Sequence, residues 1–182
     1  MGLIVLGIVV VLALLAVGLY NSLVRARVRV DEAWSGIATQ LKRRHDLIPN
    51  LVETVKGYAA HEKGVLEQVT AARSRAMGST TPAQMSQSEG ALTQALRGLY
   101  AVAESYPDLK ANQSFLSLQQ ALADTENTLA GARQGYNAAV RDLNTKVESA
   151  PTNLFAGMFG FTRREFFELE DPADRAVPQV RF

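Results

Sequence analysis

No charged side chain occurs between Gly2 and Val24, and from Leu3 to Tyr20 the chain is almost wholly Leu, Ile, Val, Ala and Gly. As a helix that run is roughly 27 Å long, about the thickness of a bilayer's hydrocarbon core. A buried core helix is the plainer alternative, but so uniformly apolar a run leaves no face for solvent. A cleaved signal peptide fits less well. Nothing basic precedes the run, and the small-x-small triplet Ala16-Val17-Gly18 lies inside it. The run also exceeds the usual signal core of roughly 7–15 residues. Residues 1–24 are therefore read as a transmembrane anchor, with membrane lipid as its partner and Tyr20 at the interface. Arg25, Arg27 and Arg29 follow directly, and Lys42, Arg43 and Arg44 come later. The positive-inside rule then puts the N-terminus outside and the remainder in the cytoplasm, as a single-pass protein of the cell (inner) membrane.

Beyond the anchor, apolar residues recur at helical spacing, and the expected class is all-α. Leu23, Val30, Trp34, Ile37 and Leu41 continue the anchor's helix without a proline, giving one rod from about residue 3 to 45. Asp46 as an N-cap and Pro49 in a first turn predict a reversal near His45–Leu47. A second helix then carries Leu47, Leu51, Val55, Tyr58, Leu66 and Val69, placing Trp34 and Leu51 in one core. It fades at Met77-Gly78-Ser79-Thr80-Thr81, and Thr81-Pro82 is a second start signature. Leu92, Leu96, Leu99, Ala103 and Tyr106 mark a third helix, closed by Pro107. The fourth runs through Phe115, Leu118, Leu122, Leu129, Tyr136, Val140 and Val147 until Pro151. Short connections between long helices predict an antiparallel up-down-up-down four-helix bundle over 25–150. An irregular, aromatic-rich tail over 151–182 then starts back near the bilayer. Phe155, Phe159 and Phe161 either close the open end of the bundle or sit at the membrane or on a neighbouring subunit.

Composition excludes much chemistry. With 19 Lys+Arg against 18 Asp+Glu there is no basic excess to attract nucleic acid. Without cysteine there is no disulfide framework, thiolate metal site or cysteine nucleophile. A di-iron bundle needs Glu three residues before His on two helices, but those positions before His45 and His61 hold Lys42 and Tyr58. Both histidines are read as surface or helix-end residues. No nucleophile elbow or phosphate loop is present, so neither catalysis nor a cofactor or metal is expected. Glu126, Arg133 and Asn137 lie on or beside the seam of the fourth helix, either as exposed flanks or as a buried polar network.

Ala33-Trp34-Ser35, and the long block from Gln40 through Leu47-Ile48-Pro49-Asn50-Leu51-Val52 to Ala59, resemble the signature of the bacterial LemA family. Tyr20-Asn21-Ser22-Leu23-Val24 agrees, as do Tyr106-Pro107-Asp108-Leu109-Lys110-Ala111-Asn112, Tyr136-Asn137, Gly160-Phe161 and Phe166-Phe167-Glu168. The resemblance implies a membrane-anchored antiparallel helical bundle and brings no catalytic residues with it. The function expected is a membrane-tethered scaffold or assembly protein that binds protein partners or its own copies. The alternative is an exported envelope bundle acting in sensing or surface remodelling. Gly18, Ser22 and Ala26, four apart, form a shallow groove suited to close helix approach. Together with Tyr20, Arg25 and the tail phenylalanines they are the expected interface of a homo-oligomer.

Overall fold

The computed structural model describes Met1–Glu168, and every regular element among those residues is helical. They are α1 (Gly2–Lys56), α2 (Lys63–Met77), α3 (Pro82–Ala103), α4 (Pro107–Lys110), α5 (Gln113–Glu148) and α6 (Thr152–Ala156). The final part of the tail, 169–182, lies outside the described residues. Two compact units are present, one formed by 1–37 and 132–166, the other by 38–131 with Phe167 and Glu168.

In the first unit, the N-terminal part of α1 pairs with the C-terminal part of α5. Trp34 meets Tyr136 with ring centroids 5.2 Å apart. Arg29 pairs with Asp142 at 3.1 Å, and Leu23 shares a cluster with Val147. Numbers fall along one helix as they rise along the other, so the two segments run antiparallel. The apolar end of α1, up to Val17, stands exposed. It belongs to the one helix among the described residues long and apolar enough to cross a membrane.

In the second unit the core draws on every helix that enters it. Ile48, Leu51 and Val55 of α1 join Leu66 and Val69 of α2, Leu92, Leu96 and Leu99 of α3, Leu109 of α4, and Phe115 and Leu122 of α5. The starts of α3 and α5 are capped by side chains. Thr81 accepts a hydrogen bond from the N–H of Gln84 at 3.2 Å, with Pro82 at the first helical position. Asn112 likewise accepts from the N–H of Phe115 at 3.0 Å.

The reversal expected at His45–Leu47 does not occur. α1 runs unbroken for 55 residues with Pro49 inside it. An internal proline normally costs about 3 kcal/mol or more, because the carbonyl four residues earlier loses its donor. Here that carbonyl belongs to His45, and it accepts instead from Nε of Arg73 on α2 at 2.7 Å. Asp46 is no cap either. It takes an ion pair from Lys42 one turn back at 2.7 Å, which holds its carboxyl below the usual range. The chain turns later, between Gly57 and Glu62, so the expected second helix is really the end of α1 followed by α2. If Arg73 replaces the missing donor, Arg73→Met should cost about 1–3 kcal/mol in the native sequence. It should cost much less in a Pro49→Ala background, where the backbone N–H returns. Equal losses in both backgrounds, measured by denaturant unfolding, would show that the bridge is incidental.

Tyr58, expected in the core, is 43% exposed. α1 ends at Lys56, so the seam passes instead to Ala59, which is buried, while the Tyr58 hydroxyl accepts from the Asn112 amide at 2.9 Å. Trp34 is half-buried in the first unit and is no part of the core that holds Leu51. Ile37, Leu41, Leu51, Val55, Leu99, Phe115, Leu122, Leu129 and Tyr136 are all buried.

Candidate functional site

Two groups of residues stand apart from ordinary helix packing, one in each unit. The first is where the apolar end of α1 gives way to charged residues. Tyr20 lies edge-on to Phe159 at 5.0 Å and to Phe161 at 5.9 Å. The guanidinium of Arg27 stands 5.2 Å over the Phe161 ring, a cation–π contact. A compact turn presents these rings. Beyond α6, the N–H of Phe161 bonds to the carbonyl of Ala156 at 2.9 Å and that of Gly160 to Gly157 at 3.4 Å. Gly160 has φ +70°. This is a Schellman closure, whose left-handed position favours glycine. Its inner residues, Ala156 and Phe161, pack in a cluster with Leu23.

From there the chain runs extended along α5. The Asn144 amide both donates to the Arg164 carbonyl at 3.0 Å and accepts from the Arg164 N–H at 2.8 Å. The Tyr136 hydroxyl donates to the carbonyl of Glu165 at 2.8 Å. Burial pushes the Tyr136 phenol above its ordinary value, with Glu165 and Asp31 adding to the rise and Arg164 opposing it. A raised phenol favours the protonated folded form, so its contribution is complete below about pH 10 and lost as pH rises through the folded value. Stability to denaturant should therefore fall at strongly alkaline pH, and Tyr136→Phe should flatten that fall. An unchanged slope in the variant would assign the alkaline loss to another group, such as Tyr100, which burial also raises.

The interface residues expected from sequence divide. Gly18 opens to space, with nothing within 4 Å of an added Cβ. Arg25 and Phe159 are exposed, Tyr20 is partly so, and Ser22 and Phe155 are half-buried. Ala26 is only 1% exposed and Phe161 is buried too, so both are spent inside the first unit. The small-residue groove is therefore partly filled by the chain itself, because the returning tail and α5 occupy that side of α1.

The second group is buried charge in the second unit. Arg44 and Glu89 are each 1% exposed and pair at 2.5 Å. Arg44 also reaches Glu126 at 2.5 Å and the Thr93 hydroxyl at 2.8 Å. Nε2 of His45 lies 2.7 Å from the other Glu89 oxygen. A carboxylate can only accept, so the ring carries a proton on Nε2. His45 is thus no surface residue, and Glu126 belongs to a network, not to an exposed flank. The signal for Arg44 and Glu89 was present in spacing. Leu41-Arg44-Ile48-Leu51 and Glu89-Leu92-Leu96-Leu99 step by three and four, so each charge stands on an apolar seam. Among the described residues no group of three His, Asp or Glu side chains gathers as a metal site. The network ties α1 to α3 and α5 and presents no nucleophile.

A family model described as the LemA family matches residues 33–182. The chain belongs to the LemA family. The resemblance carried by the Leu-Ile-Pro-Asn-Leu-Val block is thereby borne out, and the match begins at Ala33, beyond the apolar run. Among curated relatives, the chain is similar to "Magnetosome protein MamQ 2" of Paramagnetospirillum magneticum. The two are 28% identical over 189 residues, covering 88% of this chain and 70% of that protein. It is similar to "Magnetosome protein MamQ" of Magnetospirillum gryphiswaldense at 24% identity with the same coverage. It is also 26% identical over 144 residues to "Protein LemA" of Metamycoplasma hominis, covering 77% of this chain and 64% of the other.

Proposed function

We propose that this LemA-family protein is a membrane-tethered helical scaffold, anchored by α1 in the cell (inner) membrane, with its helical region on the cytoplasmic side. The observation that carries the reading is the apolar end of α1, none of which is buried, followed at once by Arg25, Arg27 and Arg29. Exposed apolar surface of that extent is sustainable in lipid and not in water. Basic residues on one flank alone favour retention of that flank in the cytoplasm. Binding of protein partners is supported by a groove of about 660 Å³ in the second unit, lined by Val52, Leu66 and Ala71. Glu53, Lys56, Lys63 and Glu67 line it too, a mixture of apolar and charged groups suited to an amphipathic helix. Association with further copies is supported by Gly18, where another helix can approach closely.

A C-terminal alkaline phosphatase fusion should be inactive, and an N-terminal tag should stay in carbonate-washed membranes. Strong phosphatase activity would place the helical region outside and favour an envelope role in sensing or remodelling. Wild type in detergent should exceed monomer mass by light scattering, and Gly18→Leu should lower that mass. A monomeric wild type, with no crosslinked species in membranes, ends the self-association part.

A further inference from the structure

We propose that the segment Thr152–Phe161 is a second membrane-contact element. It would seat Leu154, Met158 and Phe159 among the lipids of the leaflet that the anchor leaves, beside arginines that meet anionic headgroups. The proposal rests on the reading of α1 as a membrane span.

Depth is set by Tyr20, where the apolar run ends. Phe159 packs against that ring at 5.0 Å, so the turn is held at the level of the interface. Leu154 and Met158 are 71% and 76% exposed, more than any other large apolar side chain described beyond the anchor, and Phe159 is 49% exposed. They are not the loose outside of a floppy loop. The Schellman closure fixes the turn, and its inner residues Ala156 and Phe161 are already packed with Leu23. The outer residues therefore have no place left inside the first unit.

Charge agrees with this depth. Arg25 and Arg27 are exposed and lie five and seven residues past Tyr20, roughly 7 and 10 Å along the helix. The headgroup zone of one leaflet is about 5–8 Å thick, so Arg25 lies at its outer margin and Arg27 just beyond, within reach of a long side chain turned back toward phosphate. Arg163 is exposed too, in a solvent-facing pair with Glu148 at 2.9 Å, the kind of pair a lipid phosphate can replace. A second copy is the competing occupant. The three apolar side chains expose on the order of 400 Å², about half the ~800 Å² each partner buries in a stable protein interface. A bilayer has no such minimum, since a small apolar wedge with a basic collar adds to an anchor already inserted.

The chain has no cysteine, so single-cysteine variants of the full-length protein take a nitrobenzoxadiazole label without background. Labels at Leu154→Cys and Met158→Cys are compared with Leu12→Cys in the anchor. Glu32→Cys, about 18 Å past Tyr20 along the helix, serves as the solvent control. The proteins are placed in phosphatidylcholine vesicles, with or without phosphatidylglycerol, carrying nitroxide lipids at shallow or middle depth. The Leu12 label should be quenched at middle depth. Labels at positions 154 and 158 should be quenched by shallow nitroxide several-fold more than at 32, and more strongly with phosphatidylglycerol. Arg25→Gln with Arg27→Gln should remove the phosphatidylglycerol increment. An unquenched Leu12 label overturns the anchor reading itself. A quenched Leu12 label with positions 154 and 158 no different from 32 overturns only the second element. Blue-shifted but unquenched labels that crosslink between copies give the surface to a second subunit and likewise overturn it. Quenching at 154 and 158 indifferent to phosphatidylglycerol removes the headgroup part.

Discussion

Arg44→Leu is expected to destabilise the helical region by about 3–5 kcal/mol, while adding Glu89→Leu should restore most of the loss. Both side chains are almost wholly removed from solvent, and they pair at 2.5 Å. Taking the arginine away leaves the Glu89 carboxylate in an apolar surround, facing His45 alone. Removing both charges abolishes the desolvation cost along with the attraction, and two leucines suit a seam already made of Leu, Ile and Val. Glu126 can relax outward, since it is 40% exposed and does not depend on Arg44 for solvation. The test is a double-mutant cycle by denaturant unfolding in detergent, followed by circular dichroism. Additive losses would mean that the pair carries no coupling. A double variant that is stable but unfolds less cooperatively would assign the charges to helix register, which the link from α1 to α3 and α5 suits.

Leu51→Ala should cost about 2–5 kcal/mol, and more than Trp34→Ala, although the indole is much the larger group. Leu51 has no exposed surface and is surrounded by residues from several helices, so its removal leaves a cavity that cannot collapse cheaply. Trp34 is only half-buried and packs on one face against Tyr136. Losing that ring contact and part of its area is worth about 1–2 kcal/mol. The same unfolding measurement ranks the two. A larger loss at Trp34 would put the indole in a core of its own and contradict the half-open surface seen in the first unit.

The apolar N-terminal helix and the all-helical class were legible in the chain itself. An uncharged run from Gly2 to Val24 has few ways to exist in water, and apolar steps of three and four mean helix wherever they occur. Local punctuation was equally direct at Thr81-Pro82, because a hydroxyl cap and a proline at the first helical position act within one turn. The same local logic failed at Asp46–Pro49. What decides that proline is the Arg73 side chain, 28 residues beyond the carbonyl it serves. Only the folded chain brings it there. Tyr58 kept the right spacing but lost its place because the helix stopped two residues before it. Arg44 and Glu89 carried the seam's period, yet lie 45 residues apart, and no spacing rule pairs two charges across helices. The packing of the tail follows a similar division. Its aromatic composition was plain in the sequence, but whether each ring faces inward or outward depends on the turn at Gly160 and on what already fills the space beside Leu23. Helix identity is settled by neighbours within a turn or two. The partners of a buried charge, a freed carbonyl or an aromatic ring are settled by which surfaces compete for the same small volume, and that competition exists only once the helices have met.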